Sequence, residues 1–384
     1  MPTHPRSPTG LAALAFTQIV AWGVLYYAVL VAAPAIADDT GWGDEAVFLA
    51  ITAGLLTSAA CAIPVGHRLD RHPRRVMVTA TVVGTLALLV AAASPTIWVF
   101  TAAWIVCGAA QSGVLYQAAF TVITHRYRAA RRGPLTVVTL AGGLASTIFA
   151  PLTGWLVLQV GWRMSFIVLA VILAAVALPT YALTVESRWE HVEEGPAGNG
   201  AARRVLRSMR FWMVAGSFAL MSFSLYAVTL SAVPANVEKG MDLQTAAWVL
   251  GLIGAGQVLG RLLYLAIPHT APAWMAATSV GVLGAGALVA YGMVEGPVAI
   301  LTTALIAGAI RGALTLVQAS AVADRWGPAS YGRINGVLAA PVTALTALAP
   351  AAAALLATAL GSYATMTFAM AAVCAVGGAL AIRR

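Results

Sequence analysis

The sequence predicts an all-α membrane protein of twelve transmembrane helices in two pseudo-symmetric six-helix bundles, with both termini in the cytoplasm. Three observations lead there. The 384-residue chain is 60% hydrophobic and 9% charged, with a mean hydropathy of +0.87, whereas about a quarter of a soluble domain is charged. Its apolar runs are continuous and reach the roughly 20 residues that a helix needs to cross a bilayer, which also excludes the alternating pattern of a β-barrel. Finally, its cations gather on one side of successive runs.

Breaks at charge, Gly and Pro place the helices at about 10–37, 44–65, 75–93, 96–124, 134–158, 162–184, 210–236, 243–267, 272–292, 297–323, 331–359 and 362–382. No small-residue cleavage site follows the first run, so it is read as a retained helix rather than a signal peptide. Of the 22 Lys and Arg, 18 fall in the N-terminus, alternate loops, the 186–210 stretch and the C-terminus, from Arg6 and Arg68 through Arg126 and Arg203 to Arg384. The opposite side holds Arg163 and Lys239, and otherwise acids: Asp38, Asp39, Asp44, Glu45, Glu238, Asp242 and Glu295. The positive-inside rule then orients the chain, and it accounts for the net charge of +9 without a nucleic-acid partner.

The longest polar stretch, with EEGPAGNG at its centre, separates a bundle at 1–184 from a second at 210–384 through a cytoplasmic linker at 185–209. The halves repeat weakly: Gly108 precedes Pro151 by 43 positions and Gly308 precedes Pro350 by 42, with Gly161 and Phe166 answered by Gly361 and Phe368. Cys61, Cys107 and Cys374 fall inside apolar segments and read as small core residues. Lys239 is the only lysine, so a Gly-rich phosphate loop ending in Gly-Lys is excluded. No catalytic pair or metal-ligand spacing appears, so the chain is read as no enzyme, with no cofactor and no metal.

The loop GHRLDRHPRRV at 66–76 resembles the signature of the major facilitator superfamily between its second and third helices: Gly, three residues, Asp-Arg, two residues, two basic residues. Gly66, Asp70, Arg71, Arg74 and Arg75 match, and Pro73 stands where the family usually has Gly. GWRMSF at 161–166 resembles the family's start of helix six, and APLTG its Gly-Pro motif in helix five, with Ala150 for the Gly. The resemblance implies a secondary transporter working by alternating access. It also implies that the loop acts as a cytoplasmic gate, Asp70 meeting the N-terminus of the helix that begins near Tyr331, where partial positive charge favours a carboxylate. The plainer reading is that most of the arginines only set orientation.

All 13 carboxylates lie in loops or at helix ends, and the six histidines lie in cytoplasmic segments. Two arginines do lie within helices. Arg311 is 14 residues past Pro297, roughly 21 Å into the membrane, and Arg261 is roughly 9 Å from its helix end. A central Arg costs about 2.5–3.5 kcal/mol on the lenient insertion scale. No carboxylate stands at that depth to offset it, which leaves backbone carbonyls, water or a bound anion. Gly308, Arg311, Thr315 and Gln318 share one helical face, Gln111 is the repeat mate of Arg311, and Gln257 lies one turn before Arg261. Gln18, Trp22 and Tyr26 form one stripe and Ser222, Tyr226 and Thr229 another. In the resembled fold, helices 1, 4, 7 and 10 line the cavity. Against substrate contact stands helix packing for the stripes, a structural bond for Arg311, and an inner gate or snorkelling for Arg261.

Helix eight with Arg261, and the run RYRAARRGPLTVVTLAGGLAS, resemble the monocarboxylate and oxalate–formate porters. That likeness implies a helix-eight Arg on a substrate carboxylate, although Gln257 replaces the Asp of the monocarboxylate porters and no Lys stands in the first helix. The expectation is therefore a multi-pass transporter of a bacterial inner membrane that carries a small organic anion, monocarboxylates included, held by Arg311 and Arg261, with protons or a counter-anion as coupling partner. The alternatives are an exporter of lipophilic drugs or metabolites and a transporter-like sensor without flux.

Overall fold

A computed structural model describes residues 8–189, 196–241, 243–266, 272–328 and 330–382. The terminal cations Arg6, Arg383 and Arg384, and with them His4, His191, His269 and Asp242, lie outside the described residues. Among those described, 11 stretches are long and apolar enough to cross a membrane. The longest, Arg132–Thr184 at 53 residues, contains Gly161 at φ 77° and ψ 163°. Glycine adopts that φ without strain, so this stretch is two crossings and the total is the predicted twelve. The membrane helices are α1 (Thr9–Thr40), α2 (Asp44–Leu69), α3 (Pro73–Ala92), α4 (Ile97–Ala130), α5 (132–160), α6 (162–184), α7 (Met209–Leu230), α8 (Leu243–Leu263), α9 (Ala273–Met293), α10 (Pro297–Trp326), α11 (Tyr331–Leu360) and α12 (Tyr363–Ile382).

Several helices depart from the simple reading. α1 contains a π-helical turn, Gly23–Tyr27, where Gly23 lies so close to the Phe149 ring that a Cβ would overlap it. α4 is interrupted at Leu115, whose ψ of −162° is extended. α7 stops at Leu230, and a short helix, Ala232–Glu238, follows. The polar linker contains a helix, Pro196–Arg207. Cys61 is half-buried, unlike the buried Cys107 and Cys374, because a small residue on an outer helix face packs as readily as one inside. Pro73 occupies the first turn of α3, where its missing N–H has no intrahelical partner to lose.

The chain forms two compact units, residues 1–203 with 327–340, and residues 204–326 with 341–384. The first ten residues of α11 therefore cluster with the first unit, and the division falls at Pro341, where the helix loses a backbone donor.

Within each unit, glycines let helix backbones meet. In the first, Gly108 of α4 closes on the carbonyl of Gly54 in α2. In the second, α8 and α10 cross on four: Gly256 against Leu305, Gly260 against Ala309, Gly308 against Ile253 and Gly312 against Gln257. A Cβ at any of these would overlap backbone, which cannot swing aside. Gly260→Ala is expected to lower stability by about 1–3 kcal/mol, as overpacking does, read as a fall in the thermal midpoint in detergent.

The two cations on the otherwise acidic side have a local explanation. Arg163 Nη1 donates to the carbonyls of Ala92 and Ser94, both at 2.9 Å, at the C-terminus of α3. Lys239 Nζ donates to Tyr291 O at 2.7 Å and Val294 O at 3.1 Å, at the C-terminus of α9. Helix C-termini expose unpaired carbonyls and partial negative charge, which a cation satisfies. Each also lies over an aromatic ring, Arg163 on Trp162 and Lys239 on Tyr291.

Candidate functional site

In the second unit, Arg311 is half-buried on α10. Its guanidinium lies over the Tyr226 ring, the central carbon 3.6 Å from the centroid. Nη1 donates to Thr229 Oγ1 at 2.8 Å, and that hydroxyl donates in turn to Leu225 O at 2.6 Å. Nε has no hydrogen-bond partner. One face and one corner of the group are thus fixed by α7, while Nε is buried without an acceptor. A planar fork held this way suits a carboxylate, which accepts two parallel N–H bonds. Arg261 of α8 is only 6% exposed, its Nε also has no partner, and it lies within electrostatic reach of Tyr226. Thr315 Oγ1 donates back to Arg311 O at 3.2 Å. Gln257 and Gln318 are half-buried, and the backbone of Gln257 forms the seat for Gly312.

The first unit holds the repeat of this arrangement with different chemistry. Gln111 Nε2 donates to Leu25 O at 2.8 Å. Position by position, Gln111, Leu25 and Tyr26 correspond to Arg311, Leu225 and Tyr226. In both halves, then, a side chain of the fourth or tenth helix reaches the same carbonyl of the first or seventh, directly from Gln111 and through Thr229 from Arg311. Gln18 Nε2 donates to Val114 O at 2.8 Å, the last carbonyl before the break in α4. The two glutamines thus stitch α1 to α4 where both helices are irregular. Trp22 and Tyr26 join a run of rings: Trp22 lies 5.2 Å from Tyr26 and 4.7 Å from Tyr116, which stacks on Phe120 at 5.1 Å. Trp22 Nε1 and Gln18 Oε1 are buried without partners.

The sequence's loop motif builds a second cluster, inside the first unit. Asp70 is 6% exposed. Its Oδ1 accepts from Gly332 N at 2.6 Å and its Oδ2 from Arg333 N at 2.7 Å, two of the free N–H groups at the start of α11. Gly66 and Gly332 close on one another's carbonyls, and Gly336 closes on Ala62, so the turn and the helix start meet backbone to backbone. Arg71 and Arg75 are exposed. Arg74 instead donates through Nε to Val185 O at 2.6 Å and through its backbone N to Glu186 O at 3.2 Å.

Four residues of this cluster escaped the sequence reading. His125 Nε2 lies 2.9 Å from Asp70 Oδ1, an oxygen that already accepts a backbone N–H, so Nε2 is the donor. The His125 ring stacks on Trp189 at 4.7 Å, whose Nε1 donates to Leu69 O at 3.2 Å. Arg126 pairs with both oxygens of Glu186 at 2.8 Å. His125 and Arg126 had been counted only as part of a basic segment. The only cue in the sequence was that an acid, Glu186, and an aromatic, Trp189, follow α6 directly. His125→Leu is expected to speed hydrogen exchange at the Gly332 and Arg333 amides about tenfold, the equivalent of one charge-assisted bond, while His125→Gln, which keeps a donor, exchanges as wild type.

Comparison with known proteins gives the frame for both clusters. The family model described as Major Facilitator Superfamily matches residues 11–337. The chain belongs to the Major Facilitator Superfamily. Its members are transporters rather than enzymes, and this chain is a multi-pass membrane protein of that kind, a secondary transporter. Solved structures of the superfamily share its fold. FucP in the outward conformation aligns with a TM-score of 0.76 at 14% identity, over 97% of each chain. A structure of the E. coli fucose:proton symporter FucP aligns at 0.73 and 15%, again over 97% of each. The human organic anion transporter MFSD10 aligns at 0.75 and 15%, over 99% of this chain and 100% of that one. A search of curated protein sequences finds no match.

Proposed function

We propose that this transporter carries a small organic anion, monocarboxylates included, by alternating access, with Arg311 as its principal contact. The observation that carries the reading is the difference between the two repeats. Gln111 makes the interhelical bond of the first unit with a neutral amide. The equivalent position in the second unit makes it with a guanidinium that keeps Nε unpaired. A structural bond needs no charge there, and a charge at mid-helix is expensive, so the charge serves a ligand. MFSD10 illustrates that the fold accommodates such a cargo.

The cycle is coupled to protons or to a counter-anion. The basic loops face the cytoplasm of a bacterial inner membrane, and Asp70 with its flanking basic residues forms the gate on that side. The test is counterflow of labelled small carboxylates in proteoliposomes. Saturable exchange is expected. Flux of neutral lipophilic compounds with none of carboxylates would replace this reading with that of an exporter.

A further inference from the structure

The anion site contains more positive charge than one carboxylate balances. Among the described residues, neither Arg261 nor Arg311 is paired with a carboxylate. The glycine crossing brings the two together: Arg261 follows Gly260, which closes on Ala309, and Arg311 precedes Gly312, which closes on Gln257. Each arginine is therefore one residue from a point of backbone contact between α8 and α10. Arg261, at 6% exposure, does not snorkel to an aqueous surface as a cation near a helix end otherwise would. Its Nε, like that of Arg311, is buried with no acceptor. Tyr226 lies directly under Arg311 and also feels the charge of Arg261. Buried guanidinium donors left without acceptors in low dielectric call for anionic ones.

We infer that the site takes a small dicarboxylate, one carboxylate on the unpaired Nε edge of Arg311 and the other on Arg261. The inference rests on the anion reading above and narrows it from any small organic anion to a dianion with two separated charges. A single tetrahedral dianion offers only one centre, whereas two guanidinium groups on different helices match two.

The test uses the purified full chain, with succinate, butyrate and sulfate as probes at a pH where every carboxyl is ionised. Thermal stabilisation and counterflow are both read. Succinate is expected to half-saturate at about tenfold to a hundredfold lower concentration than butyrate, the worth of one added charged hydrogen-bond pair. Arg261→Gln is expected to erase that preference, so that succinate and butyrate half-saturate within about threefold of one another. The ligand-free thermal midpoint of the variant, compared with the wild type, serves as the folding control. Arg261→Lys, which keeps the charge without the fork, recovers part of the preference. The dicarboxylate reading is overturned by a wild type that does not prefer succinate, by a preference that survives in Arg261→Gln, or by sulfate outcompeting succinate. In each of these cases carboxylate binding at Arg311 still stands. If neither succinate nor butyrate binds or moves, both readings fall together.

Discussion

Arg311→Gln is expected to cut carboxylate transport about a hundredfold without weakening the fold. The substitution installs in the second repeat the residue that the first repeat already uses at that place. Glutamine can still reach α7 by a neutral hydrogen bond, as Gln111 reaches Leu25, so the contact between α7 and α10 survives. What disappears is the charge and the unpaired Nε donor. Loss of a charge-assisted pair is worth about 3 kcal/mol, or roughly a hundredfold in kcat/KM. Stability should move the other way, because removing a mid-helix Arg relieves an insertion penalty of about 2.5–3.5 kcal/mol. Initial counterflow rates and the ligand-free thermal midpoint, measured on one preparation, separate the two effects. A variant that transports normally would return Arg311 to a structural role.

Asp70→Asn carries the second large effect. Asp70 offers one carboxylate to two N–H groups of α11 and to His125. Asparagine keeps one oxygen as acceptor but turns an amide N–H₂ toward a helix terminus that itself presents donors. The charge–terminus attraction, about 0.3–2 kcal/mol, is lost, and a donor faces a donor in a site that is 6% exposed. Together these are expected to shift the balance of conformations by at least about tenfold. Transport should fall accordingly, and a reporter cysteine placed at exposed Arg75 should react faster with a membrane-impermeant maleimide. Asp70→Glu, which retains charge but overreaches, should recover part of the activity. Unchanged labelling and transport in Asp70→Asn would remove the gate role.

The fold was legible in the sequence because bilayer length and charge asymmetry act locally along the chain. Gly161 divided α5 from α6 correctly where helix continuity alone merges them. The interruptions at Gly23–Tyr27 and Leu115 were not legible, since each depends on a partner far along the chain: Phe149 beside Gly23, and Gln18 bonding to Val114 across 96 residues. The same distance in sequence hid the α8–α10 glycine crossing, whose glycines read only as a composition of small residues. Asp70 could be connected to the start of α11, 262 residues away, only through resemblance to a family. His125, Trp189 and Glu186 carry no motif, so their place in that cluster emerged from geometry alone. Gln18 and Gln111 illustrate the converse. Their polarity at mid-helix suggested a cavity wall, whereas their amides are engaged by backbone carbonyls.

The most direct measurement is the thermal midpoint of the purified protein against increasing concentrations of small carboxylates, with neutral and cationic lipophilic compounds alongside. A ligand that binds the folded state alone stabilises it by about 2.7 kcal/mol at a hundred times its Kd. A midpoint that climbs with carboxylate in the wild type, and stays flat in Arg311→Gln, is the predicted result. Stabilisation by neutral lipophiles with no response to any carboxylate would contradict an anion site at Arg311.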